Sequence, residues 1–275
     1  MLTYATYSES GGIGKTSLCA ALARAHSDNG LDVLVVDMDP QNGDVSRLLG
    51  VDEDREQENV DTLSHHLVDR PQGALKDLVR GSGEGFDVLP AHNTLSRLAD
   101  WLDKAEALAD DMGEEFHRHE RLFEVLRDSG LVNEYDVLIV DPPATEGPHL
   151  YNALAATRNL VVPTELSGKG MAAIEGLSSL VTGFEKEIGA EIGVLAVVPN
   201  GIKHTTDQQH YRQEIEALGY DVPIIIGERS SLFEGCWRQQ CTPFHLVEEH
   251  RSRKRDYEQE TLEQLRELAT FIENA

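Results

Sequence analysis

The stretch YSESGGIGKTS, residues 7–17, decides how the rest of the chain is read. Before it stands an apolar run, LTYATY, and after it Leu18, Leu22 and Ala25 recur at helical spacing. That succession predicts a short strand, a glycine loop and a helix over 15–29 ended by Gly30. Gly11, Gly12 and Gly14 let the backbone curl so that several N–H groups face one anion, and the positive end of the helix adds to the same focus. Lys15 is placed to neutralise β and γ phosphates, and the Thr16 hydroxyl to ligate Mg²⁺. The candidate nucleotide loop is therefore Gly11, Gly12, Ile13, Gly14, Lys15, Thr16 and Ser17. One part is missing. The pattern G-x-x-x-x-G-K-[ST] has glycine where this chain has Glu9, and the variant K-G-G-x-G-K-[ST] has lysine where it has Ser10.

Working outward, DVLVVD (32–37) and YDVLIVD (135–141) are continuous apolar runs ending in acids, the pattern of parallel strands buried on both faces. Further strands are expected at 86–90, 159–163, 193–199 and, last, 222–226. Helices are expected near 62–67, 75–79, 95–108, 116–128 and 171–188. A long charged helix is expected within 248–273, with Leu262, Leu265, Leu268 and Ile272 on one face. Alternating strands and helices without repeats or low-complexity linkers predict an α/β fold: one domain over 1–275, a doubly wound, mostly parallel sheet flanked by helices. Such sheets bind ligands at the carboxyl ends of their strands. The glycine loop, Asp37/Asp39 and Asp141 all fall there. Asp37 and Asp39 point the same way on an extended chain, so one can join a Mg²⁺ shell while the other orients an attacking water. Thr16, Asp37 and Asp141 form the expected metal set, with Asp141 acting through water.

Composition adds an environment. The 275 residues carry 49 acids against 24 Lys and Arg, only seven of them lysine, for a net charge of −25. An acidic, arginine-over-lysine surface is expected of a protein working in very high salt, where repulsion is screened. The three cysteines, Cys19, Cys236 and Cys241, have no metal-type spacing and are expected as reduced thiols. No apolar run is long enough to span a bilayer and the first residues enter a strand at once, so a cytoplasmic protein without signal peptide is expected. Against the acidic background, HRSRKRDYEQE concentrates Arg251, Arg253, Lys254 and Arg255, a candidate patch for DNA phosphates that Lys203 and Arg212 would extend. His65, His66, His117 and His119 read as surface residues. Trp237 and Phe244 read as core or dimer-edge packing.

Five stretches together resemble the ParA branch of the ParA/MinD group of deviant-Walker P-loop ATPases: GGIGKTS, VLVVDMDPQNGDVSRLLGVD, FDVLPAHNTLSRL, YDVLIVDPPATEGPHLYNALAATRNLVVPTE and VLAVVPN. They occur in family order along nearly the whole chain. The resemblance implies a Mg²⁺-dependent ATP hydrolase, slow alone, that forms a homodimer sandwiching two ATP molecules. It further implies non-specific DNA binding on the nucleoid and a ParB-like or other adaptor that stimulates hydrolysis, the cycle moving a plasmid, chromosome or protein assembly. By position Asp39 orients the water, Lys15 and Thr16 hold phosphate and metal with Asp141, and Asn200 contacts adenine.

The family's signature lysine, which crosses to the other subunit's phosphates, is Ser10 here. In PTELSGKGMAAIEGL, Lys169 lies between two glycines just past a strand end, and is the candidate catalytic substitute acting in trans. Three alternatives remain. A MinD-like membrane regulator would need a basic amphipathic tail, whereas LEQLRELATFIENA is acidic. An iron–sulfur P-loop protein would need paired cysteines. A non-hydrolysing scaffold follows if nothing replaces the lysine.

Overall fold

The computed structural model describes residues 1–275 except 42, 43, 204, 205 and 254. Seven strands form one sheet: β1 (Leu2–Thr6), β2 (Val33–Asp37), β3 (Arg80–Gly81), β4 (Asp87–Leu89), β5 (Val137–Asp141), β6 (Asn159–Thr164) and β7 (Gly193–Pro199). Their order is β3-β4-β2-β5-β1-β6-β7, parallel throughout except for the β3–β4 edge pair. The α-helices are α1 (Lys15–Asp28), α2 (Val45–Leu48), α3 (Leu63–Leu67), α4 (Leu98–Met112), α5 (Arg121–Asp128), α6 (Pro148–Thr157), α7 (Gly168–Ile188), α8 (Thr206–Ala217), α9 (Ser230–Gln239), α10 (Pro243–His245) and α11 (Asp256–Glu273).

Every residue of β2 and β5 is buried, because the side chains of a strand alternate between two faces and helices cover both. Val33, Val35, Val137 and Ile139 pack with Leu22 of α1 and Leu265 of α11. Leu34, Val36, Leu138 and Val140 pack on the other side with Leu98 of α4, Leu122 of α5 and Leu154 of α6. The doubly wound, mostly parallel architecture expected from the alternating pattern is what the chain forms.

Two of the expected elements, residues 222–226 and the start of the helix expected at 171–188, differ from the sequence reading. Residues 222–226 run beside β7 but form no strand. Val197 N donates to Asp221 O and Ile226 N to Pro199 O, both at 2.8 Å, but Pro223 between them has no N–H, so no ladder closes. What remains is an isolated bridge between Ile202 and Gly227. The long C-terminal helix, Asp256–Glu273, lies within the expected stretch and follows a wide turn over Leu246–His250. Helix α7 starts at Gly168, where the Ser167 hydroxyl caps Gly170 N at 3.1 Å. Helices α6, α8 and α9 go beyond the sequence reading; α6 carries the one plain signal, Pro148 at its first position. No helix among the described residues is long and apolar enough to cross a membrane.

Candidate functional site

All seven residues of the glycine loop line a cavity of about 850 Å³ at the carboxyl edge of the sheet, which Asp39 and Asn200 also line. Gly14 sits at φ +90°, a left-handed turn that starts α1 and needs glycine. The loop is tied down from β7: Asn200 Nδ2 donates to Ile13 O at 2.8 Å while its Oδ1 accepts from Gly201 N at 2.9 Å. Asn200, expected at adenine, thus lies at the cavity wall but spends its amide on the loop. Lys15 Nζ donates to Ser10 O at 3.4 Å. Burial lowers its pKa, opposed by Asp141 and Asp39. Ser10 therefore offers a carbonyl to the loop lysine at the position where the family places a second cation.

Asp37 and Asp141 are register partners on adjacent strand ends, yet their carboxylates do different things. Asp37 is fully buried and behind the wall. Its Oδ1 accepts from Asp39 N at 3.1 Å, and its Oδ2 accepts from both Ser46 N at 2.9 Å and Ser46 Oγ. Burial first, then Asp44 and Asp141, push its pKa well up. That geometry does not suit the metal role read from the sequence; Asp37 anchors the segment that carries Asp39. Asp141 is the opposite case. Its Oδ1 accepts from Thr6 Oγ1 at 3.0 Å, but Oδ2 is buried with no donor among the described residues. Burial pushes its pKa up to about 7, with the Thr16 and Thr6 hydroxyls and Lys15 pulling the other way and Asp39 adding to the rise. An orphaned acceptor oxygen behind the cavity-lining Thr16 hydroxyl fits a hydrated Mg²⁺, which takes few protein ligands and keeps waters. Asp39 itself is half-buried in the wall, and its Oδ1 accepts from Gln41 N at 2.9 Å.

Lys169 is exposed in the first turn of α7 and not in a loop. The glycine after it has its own reason: a Cβ on Gly170 would lie 2.0 Å from Glu165 O. The basic cluster is thinner than its sequence suggests. Arg251 Nη2 pairs with the fully buried Glu258 at 3.0 Å and donates to Ser231 O at 2.9 Å. Arg255 Nη1 donates to Tyr257 OH, Arg253 is exposed, and Lys254 lies outside the described residues. Lys203 pairs with Glu228 at 3.5 Å and Arg212 with Glu216 at 2.9 Å.

His149 and Phe233, which the sequence reading did not single out, line the cavity together with Trp237, which it read as core or dimer-edge packing. His149 Nε2 donates to Leu95 O at 2.7 Å, and burial lowers its pKa, favouring the neutral ring. Phe233 and Trp237 stand one turn apart on α9, half-buried, so Trp237 is not only packing as expected; the i, i+4 aromatic spacing was the available signal. Phe244 is core, under the Arg266 guanidinium. Of the histidines read as surface, His117 is exposed, His119 stacks edge-on to Tyr151, and His66 is buried against Asp61 at 2.9 Å, a structural pair. The three cysteines are free and buried. No cluster of three or more metal-binding side chains occurs among the described residues.

Comparison with known proteins points the same way. The AAA domain family matches residues 1–192. An uncharacterized protein of Methanocaldococcus jannaschii is 24% identical over 229 residues, 82% of this chain and 83% of that protein. The chromosome-partitioning ATPase Soj of Thermus thermophilus is 32% identical over 178 residues, 65% of this chain but only 59% of its own length. Among solved structures, an McdA variant of Cyanothece in complex with ATP superposes with a TM-score of 0.77 at 20% identity, covering 100% of this chain and 96% of that one; this likeness speaks to fold alone.

Proposed function

Because the chain belongs to the AAA domain family, as a P-loop ATPase of ParA/MinD type, we propose that it binds ATP with Mg²⁺ in the loop-lined cavity. On this reading it hydrolyses ATP slowly and dimerises across two nucleotides to partition or position a cargo. The observation that supports this most is the convergence of residues 11–17, Asp39 and the orphaned Asp141 Oδ2 on one sheet edge. Backbone N–H groups of Gly11 to Gly14 and the start of α1 hold phosphate oxygens. Lys15, whose Nζ now rests on Ser10 O, turns its charge to the β and γ phosphates. The Thr16 hydroxyl and, through water, Asp141 would hold Mg²⁺, which would supply positive charge against the phosphates. Asp39, in the wall and anchored through Asp37, orients the attacking water.

The second cation remains to be supplied. Lys169, exposed at the start of α7 near the same edge, is the residue proposed to reach the other subunit's phosphates. DNA contacts are proposed for the exposed Arg253, with Lys254 and Arg255, while Arg251 is held by Ser231 O and Glu258. A ParB-like or other adaptor would stimulate turnover, with the protein cytoplasmic and nucleoid-associated. A second reading, an ATP-dependent scaffold that hardly hydrolyses, is favoured by one observation: Ser10 contributes an acceptor where a cation is needed.

The test is Mg²⁺·ATP binding by calorimetry, mass by light scattering with and without nucleotide, and phosphate release with and without DNA, each in low and molar salt. Binding, a doubled mass and turnover support the main reading. Binding and dimerisation without turnover favour the scaffold. No Mg²⁺·ATP binding at any salt rejects both. Lys169→Ala leaving turnover and dimerisation intact rejects the role in trans.

A further inference from the structure

Arg55 is a long cation in an acidic segment, VDEDREQE, and nothing in its sequence context marks it. In the fold it is 5% exposed and every donor edge of its guanidinium is used. Nη1 pairs with Asp44, which is 0% exposed. Nη2 donates to Gln41 O at 2.7 Å, and Nε donates to Asn93 Oδ1 at 3.2 Å. Asn93 N returns a bond to Arg55 O at 3.1 Å. Two of those three acceptors, Gln41 and Asp44, belong to the segment that follows Asp39.

Gln41 is bonded at both ends of its peptide. Its N donates to Asp39 Oδ1 at 2.9 Å and its O accepts from Arg55. Asp44 caps α2 by accepting from Arg47 N at 3.0 Å. Two residues on, Ser46 holds Asp37 and accepts from Ala91 N at 2.9 Å. Asp39 is thus gripped from before, through Asp37 Oδ1, and from after, through Gln41 and Arg55. The first grip is a carboxylate on a rigid strand. The second depends on one side chain reaching across from another loop.

We infer that Arg55 is a positioning residue for Asp39: a buried guanidinium strut that sets where the water-orienting carboxylate stands in the cavity. This rests on the nucleotide reading above. A planar fork that meets a carboxylate, a carbonyl and an amide oxygen together fixes orientation in a way a point charge cannot. Placement matters because a misplacement of about 1 Å at a reacting centre can cost roughly 100-fold in rate. The phosphate loop does not share this network, since Asn200 holds it from the end of β7, which lies on the other side of β1 from β2. The strut should therefore act on turnover and leave nucleotide affinity alone.

The test is Arg55→Lys and Arg55→Ala in the full chain, with folding checked by thermal melt. Arg55→Lys is expected to lower kcat at least about 10-fold, and Arg55→Ala more, with the Kd for Mg²⁺·ATP within about twofold of wild type. Free guanidinium at millimolar concentration is expected to restore part of the Arg55→Ala loss, and methylammonium not. An unchanged kcat in Arg55→Lys overturns the inference. So does a fall in kcat matched by an equal loss of affinity, which would mark general damage. Amide exchange gives a readout independent of turnover: the Gln41 and Arg47 amides are expected to exchange at least about 10-fold faster in Arg55→Lys, with Leu18 in α1 unchanged. If the wild type does not hydrolyse ATP, the catalytic reading falls on that result, and unchanged exchange at Gln41 and Arg47 separately overturns the strut.

Discussion

Asn200 and Gly14 share one crowded contact: the Asn200 amide nitrogen lies 2.6 Å from where a Gly14 Cβ would stand, while it donates to Ile13 O at 2.8 Å. A side chain at residue 14 would meet two obstacles at once, this contact and a φ of +90°. Gly14→Ala should therefore distort the loop without unfolding the domain. The expected result is at least about a 10-fold loss of Mg²⁺·ATP affinity by calorimetry, a cost of about 1.4 kcal/mol. Asn200→Ala removes the one hydrogen bond that ties this side chain to the loop and leaves the backbone at ease, so it should cost about 1 kcal/mol, roughly fivefold in affinity. Equal affinities for Gly14→Ala and wild type would show that the loop does not form the site.

Asp141 predicts a pH dependence. Its folded pKa is raised from 3.8 to about 7, with burial the largest cause. The folded chain holds this proton more tightly than the unfolded chain does. The stability the group contributes is therefore complete below pH 3.8 and is lost as pH climbs through about 7. Without nucleotide, Asp141→Asn should be more stable than wild type at pH 8, and the advantage should vanish near pH 4. Mg²⁺ needs the ionised form, so wild-type Mg²⁺·ATP binding should weaken as pH falls below 7 and release protons in that range. Calorimetry in two buffers of different ionisation heat measures that release. No proton release between pH 5 and pH 7 would remove Asp141 from the metal site.

The parts that could be read from the sequence were those written locally. The runs ending in Asp37 and Asp141 are buried strands because apolar residues fill both faces, and Gly11 to Thr16 start a helix because the glycines permit the turn. What could not be read is where a long side chain spends its donors. Arg55 and Arg251 look like solvated cations in sequence and are internal ties in space. Asn200, expected at adenine, has a tie to the loop that its place in sequence does not show. Residues 222–226 look like a strand, and the burial of Val222, Ile224 and Ile226 agrees, but Pro223, which stands in plain sight in the sequence, has no N–H to close the ladder. Lys169 is set apart in sequence by its two glycines, and in space Gly170 answers to the Glu165 carbonyl.

The basic cluster separates into a structural cation and an available one. Arg251→Ala would leave Glu258, which is 0% exposed, without its near partner. Breaking one half of a buried pair costs about 3–5 kcal/mol. The Arg251 side chain is itself 15% exposed, so the lower end is the fitting expectation. Arg253→Ala should leave the melt unchanged and weaken binding to a random duplex, with a shallower dependence on salt. A melt unaffected by Arg251→Ala would return that residue to the DNA patch.

Net charge predicts the last behaviour. A charge of −25 on 275 residues opposes compaction through self-repulsion. Screening shortens that repulsion, since the Debye length falls from about 10 Å at 0.1 M to about 3 Å at 1 M. The same salt weakens exposed ion pairs such as Arg212–Glu216, at 2.9 Å, but each contributes about 0.5 kcal/mol or less. Relief of repulsion should therefore dominate, and Tm should rise by on the order of 10 °C between 0.1 M and 2 M potassium chloride. Chloride is the salt to use, because sulfate stabilises most proteins by exclusion from their surface. A charge-reduced control, Glu53→Gln with Glu56→Gln and Glu58→Gln, lies in the most acidic stretch and should show a smaller rise with a higher starting Tm. A Tm that stays level or falls with potassium chloride would mean that the acidic surface is no adaptation to salt, and the cluster at Arg253 should then be assayed at ordinary ionic strength.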